Sequence, residues 1–116
     1  MAELFLAEPD RMALTGAYAD WLAASMRSAF LTGSAGQCDD WRAFMSDWGF
    51  DLGDTHEVVL WQGDLDDIVA PAHAHWLADH IPGATLRLLL REAHLSIGLL
   101  LPEIIDDLTE RARPAR

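Results

Sequence analysis

The chain has 116 residues, is 51% hydrophobic and carries a formal net charge of −11, its eight basic residues all being arginine. A chain of this length buries roughly two-thirds of its unfolded surface, so it is one small domain or part of a larger one. The composition excludes a disordered polypeptide. So acidic a surface repels nucleic-acid phosphates and anionic lipid headgroups, which removes both as expected partners.

Glu8-Pro9-Asp10 reads as a helix start, because proline presets φ and acids favour the positive end of the helix dipole. From Arg11 to Leu31 the apolar residues Met12, Leu14, Tyr18, Trp21, Leu22, Met26, Phe30 and Leu31 recur at amphipathic helical spacing, with a candidate break at Gly16 and a stop at Thr32-Gly33-Ser34. A second helix is predicted from Cys38 to Asp47, with Trp41, Phe44, Met45 and Trp48 as its apolar residues. Gly49 to Asp54 is loop. The character changes at Glu57: Val58-Val59-Leu60-Trp61 is a β-prone run closed by Gly63, as expected of a strand covered on both faces. Pro71 to His80 has a helical pattern closed by Pro82-Gly83, Leu86 to Leu90 is a second apolar strand, and Arg91 to His94 is a loop. A final helix is expected from Ile97 to Leu108, kinked or restarted at Pro102. Strand, helix, strand, helix with short links is a βαβα unit, which requires a parallel pair. The expected organisation is a helical segment over residues 1–54, the βαβα part over 55–110, and a tail over 111–116.

The single cysteine, Cys38, excludes an internal disulfide or a multi-cysteine metal cluster and suits a reducing cytoplasm. The first residues include Glu3 and Glu8 and lack a basic n-region, so no signal peptide is read there. The longest apolar run, Ile97 to Leu101, is too short to span a bilayer. A cytoplasmic location is the expectation. No cofactor is implied.

The chemistry-bearing segment is Trp61-Gln62-Gly63-Asp64-Leu65-Asp66-Asp67-Ile68-Val69-Ala70-Pro71, together with His94 in the loop after the second strand. Loops at the carboxyl ends of parallel strands converge over a crevice. A carboxylate and a histidine presented there can act together, the acid fixing the imidazole tautomer and stabilising its protonated form. The bland alternative is that Asp64, Asp66 and Asp67 solvate the turn and cap the following helix. Asp67 is the second candidate acid if the turn is shifted by one. His73, His75 and His80 invite a metal reading, but i and i+2 lie on different sides of a helix and the favoured i, i+4 pair needs a third ligand. A solvated helix face fits them better, and no metal site is expected. Cys38, beside Asp39 and Asp40, lacks the electropositive surroundings of a nucleophilic thiolate.

The succession Gly-x-x-Asp-x-x-Val, a helix ending in Ile-Pro-Gly-Ala, a strand and Ala-His-Leu-Ser resembles the C-terminal end of the α/β-hydrolase family. The helices before Glu57, with Asp39-Asp40 and Trp48-Gly49-Phe50, are similar to that family's cap and the lead-in to its penultimate strand, so the resemblance covers nearly all of the chain. It implies a partial α/β-hydrolase fold of the α/β class: two parallel strands with βαβα connectivity preceded by cap-type helices. It further implies that Asp66 stands at the triad acid and His94 at the triad base.

Two departures matter. The family's glycine before the histidine is Ala93 here. The nucleophile elbow, Gly-x-Ser-x-Gly between a strand and a helix, has no counterpart: Thr32-Gly33-Ser34-Ala35-Gly36 lacks the first glycine and follows a helix. Nor is there a His-Gly oxyanion segment. The remaining serines, Ser25, Ser28, Ser46 and Ser96, have no elbow context.

The first expectation is therefore a truncated, hydrolase-like protein, non-catalytic alone and self-associating as a homodimer through strand Glu57–Trp61. The second is a C-terminal half of a serine hydrolase of ester or amide bonds, active only with a nucleophile-bearing N-terminal partner chain. A third is a binding module that uses the cap-type helices and exposed tryptophans to hold an apolar ligand or partner.

Overall fold

A computed structural model describes residues 6–113. Two helices open it, α1 (Glu8–Ala13) and α2 (Gly16–Ala29), followed by α3 (Ala35–Phe44). The break predicted at Gly16 falls there, with the glycine at φ +55° opening α2. The second predicted helix lies three residues earlier than expected, because Ser34 is its N-cap and Ala35-Gly36 join its first turn. Trp48 is thereby left in the following loop, where Phe50 is expected. Strand β1 (Val59–Gly63), helix α4 (Pro71–His80), strand β2 (Thr85–Leu89), a short 3-10 turn (Ser96–Leu100) and α5 (Leu101–Arg111) complete the chain.

Helix α4 has the predicted bounds, since Pro71 tolerates the first turn and the chain leaves through Gly83 at φ +72°. The final helix is restarted at Pro102, and it extends to Arg111, so the tail expected from residue 111 starts later. The last three residues of that tail lie outside the described residues. The expected strand Glu57–Trp61 is corrected to Val59–Gly63. Glu57 sits at φ +56°, off the β region, while Gln62 and Gly63 continue the ladder.

The strands pair in parallel, Val59 opposite Thr85 through Gly63 opposite Leu89, with α4 as the crossover packed on both. This is a βαβ unit of the α/β class. Side chains alternate between faces. Val59, Trp61, Thr85 and Arg87 share the face turned toward α5, across an open cavity, and there Arg87 lies 5.0 Å over the Trp61 ring and donates to Asp107 at 2.7 Å. Asp107 also accepts from Arg111 at 2.9 Å. Backbone groups alternate as well. The Thr85 N–H donates to the Val58 carbonyl and the Asp64 N–H to the Leu89 carbonyl. Even-numbered residues of β1 therefore face β2, and Val59 and Trp61 turn their N–H and C=O groups to the opposite edge, which has no strand partner among the described residues.

The core is thin. Its buried apolar residues are Ala13, Ala74, Ile81 and Ala93, while Trp21, Trp41, Trp48 and Trp76 are all more than half exposed. The radius of gyration is 16.6 Å, against about 13 to 14 Å for a compact domain of this length. Helices α2 and α3 bury no residue, and Trp41, Phe44, Trp48 and Phe50, all exposed, form a chain of rings 5.9–6.4 Å apart. None of the described helices is long and apolar enough to cross a membrane.

Candidate functional site

The carboxyl ends of β1 and β2 lie side by side, and their loops are stitched together before any functional group is added. The Leu65 N–H donates to the Glu92 carbonyl at 2.9 Å. Asp64 accepts the Arg91 N–H at 2.6 Å, where Arg91 turns the loop at φ +65°. Gly63 passes so close to the Glu92 carbonyl that a Cβ there would lie 2.6 Å from the carbonyl carbon and 2.8 Å from the Ala93 nitrogen. Glycine is required at this crossing by close approach of two backbones.

This stitching brings Asp66 to His94, with Oδ2 3.1 Å from Nδ1. The other carboxylate oxygen accepts two backbone N–H groups, from Ile68 at 3.0 Å and Val69 at 2.8 Å, so the side chain cannot rotate away. Gln62 closes the far side, its Nε2 3.1 Å from Asp66 Oδ2 and 3.2 Å from the Val69 carbonyl. The Asp66 side chain is 6% exposed, the His94 side chain 38%. Burial pushes the Asp66 carboxyl up. The Val69 N–H, the His94 hydrogen bond, the Ile68 N–H and the His94 charge when present outweigh it, and Asp66 is held below its ordinary value. An ionised carboxylate only accepts, so the proton between the two groups belongs to Nδ1 and the lone pair of His94 is on Nε2. In chemical terms this is an oriented base with one ring nitrogen partly open to solvent.

The structure thus brings together Asp66 and His94 and leaves out Asp67, which is exposed. The capping reading of the acidic turn does not hold either: α4 starts from Ala70, and Asp66 spends its free oxygen on the turn itself. Ala93, where the resemblance implies a glycine, is unstrained, since it is not among the positive-φ residues, and it is 0% exposed. Ser34 lies between two helices, α2 and α3, not between a strand and a helix. Ser96 is buried beside His94, where its Oγ accepts the Ala93 N–H at 2.8 Å. Among the described residues no three His, Cys, Asp or Glu side chains converge on a metal position, and the His80 ring instead stacks on Trp76 at 3.9 Å.

Sequence reasoning missed the supporting residues. Asp10, by sequence a helix-start acid, is 0% exposed and accepts the N–H groups of Leu95 and Ser96, each at 2.8 Å. Tyr18, one of the apolar residues of the helical pattern, donates to the Leu95 carbonyl at 2.8 Å. Nothing local in the sequence signals either contact. Gln62 did carry a signal, since a polar residue near the end of a strand expected to be covered on both faces needs a hydrogen-bonding partner.

Comparison of the chain with protein-family profiles, with curated proteins and with solved structures gave no match.

Proposed function

We propose that this chain supplies the acid–base part of a serine-hydrolase site of the α/β-hydrolase kind, acting on ester- or amide-type acyl substrates, and hydrolyses nothing by itself. The observation that carries this reading is the oriented Asp66–His94 pair with its Nε2 left free. Asp66 is the orienting acid and His94 the general base, which takes the proton of an attacking serine hydroxyl and returns it to the leaving group. The serine and the oxyanion donors come from outside the described residues, either from another segment of the same polypeptide or from a separate chain. They arrive at the open edge of β1, where Val59 and Trp61 offer unpaired backbone groups to an incoming strand.

A second reading keeps the same ancestry but assigns no catalysis: two copies pair antiparallel through the β1 edge into a four-stranded, two-fold symmetric sheet. The β1 edge without a strand partner among the described residues favours it, since two copies of one strand paired antiparallel are related by a two-fold axis. In the first reading the protein works in the cytoplasm.

The experiment is complementation. The chain is mixed with an α/β-hydrolase N-terminal fragment that ends before the acid strand and carries a Gly-x-Ser-x-Gly elbow, and p-nitrophenyl butyrate hydrolysis is followed. Activity that appears only on mixing, and falls at least about 10³-fold with His94→Ala, is the expected result. A chain that runs as a monodisperse dimer by light scattering and stays silent on mixing establishes the second reading in its place.

A further inference from the structure

We infer that Asp10 is a positioning residue for His94: the helical segment far upstream clamps the histidine loop, and the clamp is a buried carboxylate standing in for a missing helix cap. The inference rests on the acid–base reading of the Asp66–His94 pair.

The 3-10 turn that follows His94 starts with Leu95 as its N-cap, a residue whose side chain has nothing to offer the first N–H groups of the turn. Asp10 fills that place from the other end of the chain, one oxygen accepting both the Leu95 and the Ser96 N–H. Three further backbone groups beside His94 are also held. The Ala93 N–H goes to Ser96 Oγ, the Leu95 carbonyl receives the Tyr18 hydroxyl, and the Glu92 carbonyl receives the Leu65 N–H. Asp10 and Tyr18 lie on α1 and α2, the helices expected to act as a cap. These helices therefore hold the residues just after His94, while Asp66 meets its ring. A loop pinned on both sides keeps Nδ1 within reach of Asp66.

The second oxygen of Asp10 is buried and has no hydrogen-bond partner among the described residues. Burying a half-satisfied carboxylate costs stability. A residue chosen for stability alone would not be a carboxylate here, whereas one chosen to hold two N–H groups at a fixed point would be. Charged acceptors make shorter and stronger hydrogen bonds than neutral ones.

The test reads the His94 tautomer in the 15N-labelled protein near neutral pH, in the wild type, Asp10→Asn and Asp10→Ala. In the wild type the ring nitrogens show one tautomer, protonated at Nδ1. In Asp10→Ala the Nδ1–H form falls to the minority found in a free imidazole, while His56, His73, His75 and His80 and the amide signals of β1 and β2 are unchanged. Asp10→Asn retains one acceptor oxygen and restores the wild-type tautomer, with amide exchange of Leu95 and Ser96 at least tenfold faster. An Asp10→Ala spectrum with the His94 tautomer intact overturns the inference. Should that variant not fold, unchanged exchange at Leu95 and Ser96 in Asp10→Asn overturns it as well. A wild type without the Nδ1–H form would instead overturn the acid–base reading beneath it.

Discussion

Asp66→Asn is expected to leave the chain folded and to turn His94 the wrong way round. Asparagine keeps an acceptor oxygen for the Ile68 and Val69 N–H groups, which fixes its orientation. Its NH2 group then takes the place of the oxygen that meets Nδ1 of His94, and Gln62, whose Nε2 donates to that oxygen, gives up this bond or turns its own amide. A donor now faces Nδ1, so His94 moves its proton to Nε2 and presents no lone pair to a substrate-side hydroxyl. The same substitution at a triad acid costs about 10⁴-fold in kcat. A drop of that order is expected in the complemented enzyme, with the ring 15N signals of the isolated chain reporting the reversed tautomer.

The same variant separates the charge from the shape. Asp66 titrates lower in the folded chain than in the unfolded one. Its carboxylate therefore contributes stability that is present above the unfolded value, about 4, and is lost as the pH falls through the lower folded value. Urea midpoints of wild type and Asp66→Asn are expected to differ most near neutral pH and to converge in acid. A constant gap from pH 7 to pH 2 would mean that the lost geometry, and not the lost charge, sets the difference.

Gly63→Ala is expected to be the most damaging single-methyl change in the sheet. The added carbon would meet the backbone of Glu92 and Ala93, which cannot swing aside as a flexible side chain would. Either β1 or the histidine loop must yield. Because Asp64 and Leu65 tie the two together, a shift of either draws Asp66 and His94 apart. The stability loss is expected near or above the upper end of the roughly 1–3 kcal/mol typical of overpacking. The His94 tautomer preference should vanish along with it. Gly36→Ala is the control: nothing lies within 4 Å of its Cβ position inside α3, so it should gain up to about 1 kcal/mol of helix propensity. A Gly63→Ala protein with the urea midpoint of the wild type would show that the two backbones are not in fixed contact.

What could be read from the residues in order is what residues impose on their neighbours. Pro71 and Pro82-Gly83 bracket α4, Pro102 restarts the last helix, and two β-prone runs around a ten-residue helix require a parallel pair. The same order placed an acid and a histidine at the ends of adjacent strands. Resemblance puts Asp66 first and leaves Asp67 as the second candidate if the turn is shifted by one; one step along a tight turn decides which carboxylate points inward and which into water. The edges of β1 were beyond the residue order, since Gln62 and Gly63 are strand because of what lies opposite them: Leu88, Leu89 and the Glu92 backbone.

Asp10 lies farthest from any local rule. Its contacts span 85 and 86 residues, and an acid in a first helical turn is fully explained by the helix dipole until the histidine loop is folded against it. Local propensity and punctuation determined the elements and their order. Tertiary packing alone decided which side chains meet across them, because a hydrogen bond between distant residues depends on where whole elements come to rest.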